Sequence, residues 1–157
     1  MLFRSSALQI WYSPSQTWES RHALTPIQVN FGPKATVPEK YKERKLYEHN
    51  PTVTLMRTSP EECKQIGEFI VGKVKTAASD KSKVQIVLPK GGVSMIATPD
   101  APFYDAEADE AIFSAIKNGL ESVDVKLVED DRAINDEGFA VDIAERLVSI
   151  MDVATRK

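Results

Sequence analysis

Between residues 53 and 151, short β-prone runs alternate with amphipathic helical stretches three times. This alternation constrains the fold more than any other feature of the chain. A helix between two strands carries the chain back to the starting edge, so the strands run parallel with right-handed crossovers. The first run, Val53-Thr-Leu-Met-Arg57, is followed by Ser59-Pro60-Glu61-Glu62. Ser59 suits the cap position, Pro60 the first helical position, and Glu62 the reciprocal place of a capping box. Cys63, Ile66, Ile70, Val74 and Ala77 then recur at three- and four-residue steps, giving one buried helical stripe. Residues 84–88 form the second strand, and their continuous apolar character suits burial on both faces of a parallel sheet. A long loop from Lys90 to Asp105 follows. Asp105 is placed to cap the next helix, whose inner face reads Ala108, Ala111, Ile112, Ala115 and Ile116, with Asn118-Gly119 as its stop. Residues 123–128 form the third strand. Asn135 is the expected cap of a last helix whose inner stripe is Ala140, Ile143, Ala144, Leu147 and Met151. The fold class expected is α/β: a three-layer, mostly parallel sheet built from βα repeats, a Rossmann-like half-domain. Three strands are few for such a sheet, so further strands are expected from elsewhere.

The remainder of the chain behaves differently. Residues 1–28 hold both tryptophans and have no helical or strand period, which points to a leader outside the domain, expected to be poorly ordered. Residues 29–152 form the expected domain and 153–157 a tail. The stretch from 31 to 50 reads as an extended lead-in, broken at Gly32-Pro33 and Pro38. A net charge of −3 gives no global attraction to nucleic acid or to anionic membranes. No apolar run reaches the roughly 18 residues that a membrane span requires. The single cysteine excludes an intrachain disulfide, and a cytoplasmic location is expected.

Open parallel sheets bind ligands beyond the carboxyl ends of their strands, and three segments reach that edge. Arg57-Thr58-Ser59 leads into a capped helix, and Arg57 can hold a carboxylate or phosphate, or can pair with one of the many acids. Gly91-Gly92-Val93-Ser94 permits close backbone approach to an anion, with Ser94 as a donor, but lacks the Walker spacing; a plain tight turn is the competing reading. The third segment runs from Asp130 to Asn135. His49, in His49-Asn50-Pro51, is a candidate for acid–base work or for a hydrogen bond across a domain seam. From Asp105 to Asp136 the chain carries ten acids and three bases, which solvated helix faces account for; no metal site is expected. Cys63 lies on the apolar stripe and reads as core.

Several of these segments, taken in order, resemble one family. His49-Asn50-Pro51-Thr52-Val53-Thr54-Leu55-Met56-Arg57-Thr58, Gly91-Gly92-Val93-Ser94, Pro102-Phe103-Tyr104-Asp105-Ala106-Glu107-Ala108-Asp109, Ile134-Asn135-Asp136 and Phe139-Ala140 are similar to the Tm-1-like ATP-binding family. Asn30-Phe31-Gly32-Pro33 resembles it too. That family includes a tomato inhibitor of tobamovirus replication. The resemblance implies two α/β halves in one chain, with nucleotide binding in the amino-terminal half. This chain then corresponds to the carboxyl-terminal half, needs no cofactor by itself, and meets ATP only together with the other half. It departs from the family at Ala97, where an Asp is usual after Ser-x-Ile, and at Asp100-Ala101, where a Gly is usual before Pro-Phe.

Two readings of function follow. In the first, the half-domain contributes loops to a cleft for a small anionic ligand or a nucleotide. Asn50, Arg57, Thr58, Gly91, Gly92, Ser94 and Asn135 bind, and His49 and Asp105 are the catalytic candidates. In the second, it is an interaction or dimerisation module without chemistry, partnered by the amino-terminal half or by a second copy. A truncated product without a role of its own is the remaining alternative. No reaction is named by the sequence.

Overall fold

The computed structural model describes residues 28–77 and 80–150. Five strands and three α-helices follow one another in it: β1 (Gln28–Phe31), β2 (Leu46–Asn50), β3 (Val53–Arg57), α1 (Pro60–Ala77), β4 (Gln85–Pro89), α2 (Ala106–Leu120), β5 (Lys126–Asp130) and α3 (Glu137–Ile150). The alternation from β3 onward matches the sequence reading, and the fold is α/β. The leader reading for 1–28 lies outside the described residues except at Gln28, which opens β1 instead, and the tail at 153–157 lies outside them altogether.

The sheet is divided, which the sequence reading did not anticipate. β4 and β5 pair in parallel, from Gln85 opposite Lys126 to Pro89 opposite Asp130. β3 does not join them. It lies in the middle of a separate antiparallel sheet in the order β1-β3-β2. The reason is local. Only Pro51 and Thr52 separate β2 from β3, and so short a link permits only antiparallel pairing. Asn50 Oδ1 closes this turn by accepting from the Thr52 amide and hydroxyl, each at 2.9 Å. β1 takes the other edge of β3, with Val29 opposite Met56. Among the described residues the arrangement is therefore two small sheets rather than one mostly parallel three-layer sheet.

The helix starts follow the expected chemistry. Ser59 and Glu62 form the capping box: the Ser59 amide donates to Glu62 Oε2 at 2.8 Å and the Glu62 amide to Ser59 Oγ at 3.3 Å. Asp105 caps α2 by accepting from the Ala108 amide at 3.0 Å. At α3 the cap is Asp136, not Asn135: the Phe139 amide donates to Asp136 Oδ1 at 3.1 Å, and Asn135 is exposed. Gly119 does not stop α2, which continues to Leu120.

The core lies between α1, α2 and β4. Cys63, Ile70, Val71, Leu88, Phe103, Ile112, Ile116 and Leu120 are all buried in it. Each such side chain contributes roughly 1.5–3 kcal/mol by leaving water. Two glycines set the helix spacing. A Cβ on Gly67 would lie 2.7 Å from Ala115 Cβ and 3.0 Å from the Ile112 carbonyl; one on Gly119 would lie 2.7 Å from a Val71 methyl. α3 stands apart from this core. It buries only Phe139, while Ile143 and Leu147 are half-buried, and Ala140 and Ala144, expected on the inner stripe, are exposed. Met151 lies outside the described residues.

Candidate functional site

The residues expected to form a ligand site fall into three places. The first is the carboxyl end of β3, at the heads of α1 and α2. Arg57 is 2% exposed there, and its guanidinium is committed inside the protein. Nε donates to the Phe103 carbonyl at 3.1 Å, and one terminal nitrogen donates to Asp109 Oδ1 at 2.6 Å. Thr58 Oγ1 lies 3.4 Å from the other terminal nitrogen and 3.2 Å from the Cys63 sulfur. Burial pushes the Asp109 carboxyl above its ordinary pKa, and the Arg57 charge opposes that shift. The Cys63 thiol is pushed up as well, mainly by burial, which suits a core residue and not a nucleophile. Of the two roles the sequence left open for Arg57, the ion pair is the one with visible geometry. Asp109 stood in the sequence only as one acid among ten.

The second place is the carboxyl end of the parallel pair. The Gly91 amide donates to the Arg132 carbonyl at 3.2 Å, and the Gly92 amide to the Pro89 carbonyl at 3.2 Å. The Ile134 amide returns a bond to the Gly92 carbonyl at 2.9 Å. A Cβ on Gly91 would lie 2.4 Å from the Asp131 carbonyl oxygen. The close approach that Gly91 permits is thus to the chain's own backbone, and Gly92 takes φ +144°, where glycine is favoured. Ser94 is buried, and its hydroxyl makes no hydrogen bond among the described residues. Arg132 fixes the neighbouring loop by donating to both carboxylate oxygens of Asp130, at 2.9 and 2.7 Å, and to Asp142. These bonds, with that from the Arg132 amide, hold the Asp130 pKa down at about 2.

The third place is the tip of the β2–β3 hairpin, where His49 and Asn50 are exposed. The His49 ring centroid is 6.4 Å from that of Tyr47. Asn50 pairs with Val53, four residues before Arg57, so the strand rise separates this tip from Arg57 by about 13 Å. His49 and Arg57 do not share a site. Asp105, the other catalytic candidate, spends its carboxylate on the α2 cap.

Between the first two places runs the loop from 90 to 105. Phe103, 0% exposed, anchors it: its amide donates to the Ile96 carbonyl at 2.7 Å and its ring meets Tyr47 edge-on at 6.1 Å. The two positions where the chain departs from the family pattern lie here. Ala97 is fully buried. In the Asp100-Ala101 pair, Asp100 has φ 68°, a backbone conformation that glycine adopts without steric cost.

These features define an α/β domain with loops stapled to one another and a two-stranded parallel sheet left open. Among the described residues, no cluster of His, Cys, Asp or Glu is placed to hold a metal. No described helix is long and apolar enough to cross a membrane. Residues 27–151 match the model of the C-terminal domain of an uncharacterised protein family, UPF0261. A UPF0261 protein of Clostridium tetani is 44% identical over 124 residues, which are 79% of this chain and 30% of that protein. One from Mesorhizobium japonicum is 39% identical over 127 residues, 80% of this chain and 30% of its own length. The ToMV resistance protein Tm-1 of Solanum lycopersicum is 38% identical over 125 residues, 78% of this chain and 16% of that protein. The chain belongs to the UPF0261 family, to its C-terminal domain, and spans about 30% of the length of these bacterial relatives.

Proposed function

We propose that this domain works as a docking half. It pairs with a second α/β unit, supplied by the remainder of a family chain, through the open side of β5 and the outer face of α3. The carrying observation is the stripe Val141, Ala144 and Val148 on α3. Val141 is 51% and Val148 54% exposed, at the spacing of one helical face. β5 adds to it, being half-exposed and paired on one side only among the described residues. Parallel strands are characteristically covered on both faces. The occupant follows from the relatives, in which this domain makes up only about 30% of the chain. ATP, on this reading, belongs to the partner unit.

A small anionic ligand in the cleft so formed is the second reading, and Ser94 favours it. Its hydroxyl is a hydrogen-bonding group at the carboxyl edge that no described residue engages. Asn135, exposed and two residues beyond Ala133, which bridges to Gly92, is another available group.

The test is to co-express this chain with the remainder of the Clostridium tetani relative and capture one through a tag on the other. Joint capture is expected, and Val141→Asp with Val148→Asp abolishes it without lowering the melting temperature. Two soluble chains that never co-purify would refute the reading. A homodimer broken by the same pair of substitutions would replace the proposed occupant by a second copy.

A further inference from the structure

The opposite edge of the parallel pair carries a groove that none of the expected sites includes. It lies where β4 and β5 begin and α3 ends, with a volume of about 310 Å³, and is lined by Gln85, Lys126, Glu145, Arg146 and Ser149 among others. Register partners Gln85 and Lys126 form its floor. Arg146 and Ser149, three residues apart, share one face of α3 above it.

Its donors lack acceptors. Among the described residues, Gln85 Nε2 is buried and has no hydrogen-bond partner. An unmade bond at such an atom costs about 1–3 kcal/mol, so an acceptor that reaches it is strongly favoured. Among the described residues neither Lys126 nor Arg146 has a carboxylate within ion-pairing distance. Several other cations are held by carboxylates: Arg44 by Glu62, Lys90 by Glu110, Lys117 by Glu129 and Arg132 by Asp130. Two unpaired cations flanking an orphaned amide donor make a set that recognises an anion with several acceptor oxygens. Glu145 opposes it with one negative charge, so the charged lining keeps a surplus of one positive charge and selects a small, singly or doubly charged anion.

We propose that this groove binds a small carboxylate or phosphate anion, held by Arg146 and Lys126 and by the Gln85 side-chain amide. The site is independent of docking through the outer stripe of α3, because Arg146 and Ser149 lie on a different face from Val141 and Val148.

The test uses the full chain, isotope-labelled for NMR, titrated with inorganic phosphate and separately with acetate, with chloride holding ionic strength constant. The Gln85 side-chain amide and the Arg146 Nε signals are expected to move and saturate. Arg146→Gln and Lys126→Gln each weaken binding about tenfold, the loss of one charge-assisted hydrogen bond, and Glu145→Gln tightens it. Both cations are at least partly exposed, so these variants keep a cooperative melt. Shifts that rise without saturating, or equal affinity in Arg146→Gln, would overturn the site. A Gln85 signal that ignores both phosphate and acetate would also overturn it.

Discussion

Arg57 and Asp109 show how far single residues can be read. The sequence marks Arg57 as a cation ending a strand, which either holds a ligand or pairs with an acid. It does not name the acid, because many carboxylates compete and the partner lies 52 residues away. The burial decides the role: a guanidinium 2% exposed needs a fixed countercharge. Removing one member of such a pair leaves a buried charge unmatched, so Asp109→Ala is expected to lower unfolding free energy by about 3–5 kcal/mol in urea titrations. A loss no larger than that of an ordinary surface substitution would contradict the assignment. Asp100 gives the reverse case. Its φ of 68° carries a steric cost that glycine avoids. Asp100→Gly is therefore expected to stabilise the domain by about 0.5 kcal/mol, the relief exceeding the added unfolded-chain entropy. Its family departure was visible in the sequence; its conformational consequence was not.

At the scale of elements, legibility follows local chemistry. Ser59, Glu62 and Asp105 sit where capping demands them, and α1 and α2 begin accordingly. β1 and β2 escaped the sequence reading because their side chains are mixed and mostly exposed, leaving no alternation to detect. Gly67 and Gly119 gave no sign of their role, since helix spacing depends on what packs opposite. At Gly67 a methyl would meet the Ile112 carbonyl and Ala115. Overpacking there costs about 1–3 kcal/mol, against roughly 1 kcal/mol gained in helix propensity. Gly67→Ala is thus expected to destabilise, and a higher melting temperature would show that α1 and α2 can separate freely. The loop after β5 adds a pH dependence. Arg132 holds Asp130 at about 2, below its ordinary 3.8. A depressed carboxylate contributes stability that is complete above its unfolded pKa and is lost as pH falls toward the folded one. Asp130→Asn is expected to flatten the stability profile between pH 3.8 and about 2. An unchanged acid limb would mean that the Arg132 bonds do not persist in solution.

For the whole molecule, the alternation from β3 to α3 was enough to give the α/β class but not the division into two sheets. Pairing across sheets is a choice among edges, and the two-residue link at Pro51-Thr52 settled it for β3. The expected site also dispersed at this scale. Gly91 and Gly92 spend their amides on the backbone, and His49 lies a strand length from Arg57. The groove at Gln85, Lys126 and Arg146 carries no sequence signal, because open parallel sheets bind ligands at the carboxyl ends of their strands and these residues meet at the other edge. What remains open is the outer side of β5 and the Val141–Val148 stripe of α3. Amide hydrogen exchange across Lys126–Asp130 and Glu137–Ile150, in the free chain and in the co-purified pair, tests docking most directly. The outward amides of β5 and those of α3 are expected to exchange readily in the free chain and slowly in the pair. Unchanged exchange in a verified complex would place the interface elsewhere and contradict the account.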